Sequence, residues 1–122
     1  MNFDQVIFAH SDWKNHFKHY LEGKEKLDEQ TVAKDNVCEL GKWLAGEGAR
    51  HAQLPEYRDL KEKHTQFHLT AAQAVRESHK LPKEQSLKLV DIGTPFAKAS
   101  VACVLAISKL KNLLQAKAAQ TA

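Results

Sequence analysis

Apolar and aromatic residues recur along the first segment at Phe3, Val6, Ile7, His10, Trp13, Phe17, Tyr20 and Leu21. That i, i+3, i+4, i+7 spacing places them on one stripe and predicts an amphipathic helix of about 18 residues. Asn2 can cap it, and Gly23 with the charged stretch to Glu29 lets it end. Residues 30–36 read as a connector. Asp35 or Asn36 then suits the N-cap of a short helix through Cys38, Leu40, Trp43 and Leu44, closed by Gly46, Glu47 and Gly48. After a loop to Leu54, Pro55 and Glu56 form a favourable first-turn pair for a third helix. Tyr57, Leu60, His64, Phe67, His68, Ala71, Ala74 and Val75 share one face of it, and it runs to about His79, ahead of Leu81 and Pro82. The last segment begins near Lys83 and carries the cleanest stripe, Phe96, Ala99, Cys103, Ile107, Leu110 and Leu114. Gly93-Thr94-Pro95 interrupts it and predicts a kink or a break. No alternating strand pattern, internal repeat or low-complexity stretch occurs. The pattern predicts an all-α fold, an antiparallel four-helix bundle in which one short helix carries Cys38.

Composition fits one domain spanning residues 1–122. A chain of 122 residues supports a single core, and 43% hydrophobic with 27% charged residues is the balance of a globular protein. The longest apolar run, residues 101–107, falls short of the roughly 18–20 residues a bilayer crossing needs, so no membrane span is expected. No secretion signal is visible, with Asp4 where such a signal would be basic, and a cytoplasmic location is expected. Two cysteines make no disulfide framework. Charge is uneven: residues 1–82 hold 12 basic and 13 acidic residues, residues 83–122 hold 6 and 2. The lysines of the basic end are spread out, with no arginine and few aromatics, so they read as a solvated face and not as a nucleic-acid surface.

Placement of histidine changes this plain picture. His64 and His68, four apart on a helix, project from one face about 6 Å apart at Cβ. Two ring nitrogens can then meet on one ion at about 2.0–2.1 Å. Thr65, Gln66 and Phe67 lie between them, so this is not the H-E-x-x-H of metalloproteases. His10 falls on the buried stripe of the first helix. A lone core histidine is ordinarily satisfied by a nearby carbonyl, but three on facing stripes are costly to bury without a shared partner. Cys38, placed in the first turn of the short helix, is the natural fourth donor, because the helix dipole there favours thiolate. Three imidazoles and one thiolate make a tetrahedral set suited to Zn2+. Four protein donors leave no open position for substrate, which disfavours an enzyme. Cys103 reads as a small core residue. His16, His19, His51 and His79 fall in exposed or loop positions and read as solvated.

Three blocks carry a family resemblance: Ala9-His10-Ser11-Asp12-Trp13-Lys14, Cys38-Glu39-Leu40-Gly41-Lys42-Trp43-Leu44 and His64-Thr65-Gln66-Phe67-His68. In order and spacing they resemble the chemoreceptor zinc-binding (CZB) domains over nearly the whole chain. The resemblance implies a zinc site at His10, Cys38, His64 and His68, in a helical bundle that is often dimeric. It also implies attachment to a bacterial chemoreceptor or diguanylate cyclase whose output follows zinc occupancy or cysteine oxidation. The chain holds neither a receptor coiled coil nor a cyclase motif, so it resembles a stand-alone version or an excised domain. Together these readings predict a regulatory, chemotaxis-type module sensing zinc or an oxidant such as hypochlorous acid. The alternative is a structural-zinc bundle that serves as a protein-interaction domain.

Overall fold

The computed structural model describes residues 1–121, and side chains as far as residue 118. The described residues form helices and no strand, as the sequence predicts. The expected first helix is two. Helix α1 (Phe3–Ser11) and helix α2 (Trp13–Leu21) meet at Asp12, whose φ of −90° and ψ of −4° break the ladder. Asn2 caps α1 by accepting from Gln5 N at 3.1 Å. The stripe still works across the break, with Val6, His10 and Phe17 buried and Phe3, Ile7 and Trp13 packed against the core.

The connector predicted for residues 30–36 contains a helix of its own. Helix α3 (Glu29–Ala33) is capped by Asp28, whose carboxylate accepts from Thr31 N at 3.3 Å and Thr31 Oγ1 at 2.8 Å. With only two apolar residues it offered no helical stripe, so the cap was its only sequence signal. Helix α4 (Glu39–Ala45) follows and is capped by Cys38 itself, not by Asp35 or Asn36. A 3-10 turn over Glu47–His51 leads to helix α5 (Pro55–Ser78), which matches its expected span closely. Helix α6 (Lys83–Leu87), a 3-10 turn (Lys88–Val90) and helix α7 (Pro95–Thr121) complete the chain. The predicted break falls at residues 91–94, where Gly93 takes a φ of +89°.

Helices α1, α5 and α7 enclose the main core, built from Val6, Leu40, Leu60, Phe67, Cys103, Ile107 and Leu110 among others. Phe17, Ala74 and Val75 form a smaller cluster beneath α2. One expectation needs correcting. A stretch within residues 83–118 is long and apolar enough to cross a membrane by length and composition, with a mean hydropathy of 1.5 in its most apolar window. Its scattered lysines hid this from a search for an unbroken apolar run. The face of α7 bearing Phe96, Cys103, Ile107 and Leu110 is buried in the core, although only 22% of that apolar window as a whole is buried. Its opposite face, at Val101 and Leu105, is exposed.

Candidate metal centre

Four side chains predicted from sequence come together where α1, the start of α4 and the middle of α5 meet. One donor atom from each of His10, Cys38, His64 and His68 lies within 4.8 Å of all the others. Cys38 Sγ is 3.2 Å from His64 Nε2 and 3.6 Å from His68 Nε2. The two Nε2 atoms are 2.9 Å apart. A tetrahedral zinc with three nitrogens and one sulfur puts its donors about 3.3–3.6 Å from one another. The cluster is therefore already near coordinating size.

Backbone carbonyls set which ring nitrogens face inward. His10 donates from Nδ1 to Val6 O at 2.8 Å, one turn earlier in α1. His68 donates from Nδ1 to Val32 O at 2.9 Å, reaching across to α3. Each bond fixes the tautomer and leaves the Nε2 lone pair free, the arrangement that outer partners commonly impose on metal-binding histidines. Burial reinforces it by disfavouring the charged imidazolium. Desolvation lowers His10 and His68 below the ordinary histidine range and brings His64 down to about 3. At neutral pH all three rings are neutral donors.

Cys38 occupies the N-cap of α4, where Gly41 N donates to its sulfur at 3.4 Å. The expectation that the helix start depresses this thiol is corrected. Burial pushes it up, and the amides of Gly41 and Leu40 only partly offset that. A thiolate here needs a cation to replace the lost hydration, and a coordinating metal deprotonates a thiol outright. Gly41 itself is dictated by space: a Cβ there would lie 1.7 Å from Asp35 O. Trp43 packs edge-on to Phe3 with ring centroids 5.4 Å apart, fixing α4 against α1.

The sequence reading missed three supporting groups. Val6 and Val32 act through carbonyls, which no residue type advertises. Asp35, considered there only as a cap, instead accepts from Thr65 Oγ1 at 2.5 Å, and its charge favours protonated His64 and His68. One carboxylate beside one thiolate would balance a divalent ion. Cys103 is fully buried in the core, as expected, and burial raises it to about 12. The four remaining histidines are not simply solvated. His16 lies against Glu25, His79 Nε2 meets Tyr20 Oη at 3.0 Å, His51 stacks on Trp43, and His19 approaches Glu25.

The donor set fits a transition metal: neutral imidazoles and a thiol suit zinc, and no carboxylate oxygen, the donor calcium or magnesium requires, sits among them. No curated protein and no solved structure matches the chain. The family model of the chemoreceptor zinc-binding domain matches residues 10–75, more than half of the chain and a span that includes all four clustered residues. The chain belongs to the chemoreceptor zinc-binding domain family.

Proposed function

We propose that this protein is a regulatory zinc module in which His10, Cys38, His64 and His68 ligate one Zn2+. The observation that carries the reading is the convergence of three neutral imidazoles and one thiol within 4.8 Å, two of the rings oriented by backbone carbonyls. Four protein donors would close the coordination shell, which speaks for control of shape over catalysis. The bound ion would tie α1, α4 and α5 into one antiparallel four-helix bundle completed by α7.

Signal entry follows from the ligand chemistry. Zinc can leave as its concentration falls, or Cys38 can be oxidised. In the second route a thiolate and hypochlorous acid give a sulfenic acid and chloride, and the sulfenic acid is a poor zinc ligand. Either event would loosen the metal-facing end of the segment from Cys38 to Gly48, against the hold of Leu40 and Leu44 in the core and of Trp43 on Phe3. The family's association with signalling proteins makes a chemoreceptor or a diguanylate cyclase the receiving partner, in the bacterial cytoplasm. A second copy of the chain is the partner proposed for the uncovered face of α7, where Val101 is 60% and Leu105 56% exposed.

Hydrogen exchange over residues 36–48, with and without zinc, tests the regulatory reading. Strong loss of protection on zinc removal supports a moving segment. Equal protection in both states would leave only a structural zinc in a protein-interaction bundle.

A further inference from the structure

We propose that the groove between α2, residues 87–92 and α7 binds a single-chain amphiphilic anion, such as a medium-chain carboxylate. None of the four clustered donors lines it, and the proposal stands without the zinc reading. The starting observation is α7, which carries the most apolar stretch of the chain yet leaves most of it unburied. Open apolar surface on that scale marks a binding face on a small domain. On the side toward α2 this surface is concave. The groove encloses about 730 Å³ and its lining is mainly apolar. Small-molecule sites have this composition and commonly hold roughly 300–1,000 Å³.

Exposure separates the floor of the groove from its lip. Phe96 is buried, Val90 and Val104 are half-buried, and Ile92, Val101 and Leu105 are exposed. Phe96 makes a fixed floor, its ring centroid 5.1 Å from that of Trp13 and 5.5 Å from that of Phe67. Phe96, Ser100 and Val104 follow at four-residue steps along α7, so the floor runs lengthwise as a slot. A slot admits a linear alkyl chain, whereas a second copy resting on Val101 and Leu105 would meet only the lip. Charge then selects the head group. Lys14 and Lys18, four apart on α2, line the groove and are exposed. Among the described residues neither ammonium makes an ion pair. Ser11 and Asn15 already donate to Ile7 O and Asp12 Oδ1, which leaves the lysines to receive a ligand. Asp91 is the one carboxylate of the lining, so its cations outnumber its anions by two to one. An anionic head at the lysines with its tail over Phe96 matches both halves of the groove.

Calorimetric titration of the full chain with dodecanoate, below its micelle concentration, tests this. One equivalent is expected to bind saturably, with near-ultraviolet circular dichroism retained. Decanoate should bind about tenfold more weakly, because each buried methylene is worth about fourfold in affinity. Dodecyltrimethylammonium, which carries a similar tail on a cationic head, should bind at least about tenfold more weakly than dodecanoate. The double variant Lys14→Gln/Lys18→Gln, altered at exposed positions, should weaken dodecanoate about fivefold or more. Ser100→Phe, which fills the slot from a half-buried position, should abolish binding. The proposal is overturned by no saturation up to about 1 mM, by equal affinity for the cationic amphiphile, or by unchanged binding in either variant. Saturation only with loss of tertiary structure, or a second copy that fills the groove and excludes dodecanoate, would overturn it as well.

Discussion

His68 donates from Nδ1 to the carbonyl of Val32 at 2.9 Å, and this single bond ties the orientation of a metal-facing ring to a five-residue helix. Helix α3 contributes nothing to the cluster directly. It acts by holding one carbonyl in place.

That dependence can be tested without touching the cluster. Asp28→Ala removes the cap of α3 and costs about 1 kcal/mol of stability. Because the Val32 carbonyl is then less firmly placed, zinc affinity is expected to fall about 10-fold or more in chelator competition. An affinity equal to that of the wild type would mean that Val32 does not orient His68.

Gly41→Ala should be among the most damaging single-methyl additions in the chain. The new Cβ would overlap Asp35 O, a backbone atom with little freedom to retreat. Displacing α4 or residues 35–36 costs about 1–3 kcal/mol, the usual cost of overpacking. Thermal unfolding of the zinc-bound and metal-free variants measures it, with zinc affinity expected to fall in parallel because Cys38 moves with α4.

Much of this centre was legible in the sequence, and the reasons differ from residue to residue. His10, His64 and His68 betrayed themselves by standing on apolar stripes, where an unpaired imidazole is expensive. The span of α5 followed from periodicity and from Pro55, and the break ahead of α7 from Gly93-Thr94-Pro95. The break at Asp12 was hidden because the stripe continues across it from Ile7 to Trp13 and Phe17. Helix α3 was hidden because it is too short to show a period. Cys38 was recognised as a donor but placed in the first turn behind an Asp35 or Asn36 cap, two or three positions before the actual cap at Cys38, and its thiol was expected to be lowered. The cap geometry did supply the amides, yet burial outweighs them, and burial depends on packing that the helix start alone does not encode.

Acid should unfold the metal-free protein through the same rings. His64 is held at about 3 in the folded chain against an ordinary value of 6.5. Below pH 6.5 the unfolded chain takes up that proton and the folded chain does not, so stability falls as pH drops toward 3. At pH 5 the loss from His64 alone is about 2 kcal/mol. Urea titrations of the chelated protein at pH 7 and pH 5 measure it. A midpoint unchanged between these pH values would contradict a buried neutral His64.

The two thiols should behave differently toward an alkylating reagent. Cys103 is fully buried and raised to about 12, so it stays unmodified while the protein is folded. Cys38 is only partly buried and should be protected by zinc, then modified after chelation. Mass spectrometry of the alkylated protein is expected to show no label with zinc, one label at Cys38 without it, and two labels only in denaturant.

Metal content of the purified protein, with and without Cys38, is the most direct test of the central claim. At low free zinc the wild type is expected to hold one equivalent that resists a nanomolar-affinity chelator, and Cys38→Ala should surrender it. Retention of one tightly held zinc by Cys38→Ala, or a wild type that binds none, would contradict the proposed centre.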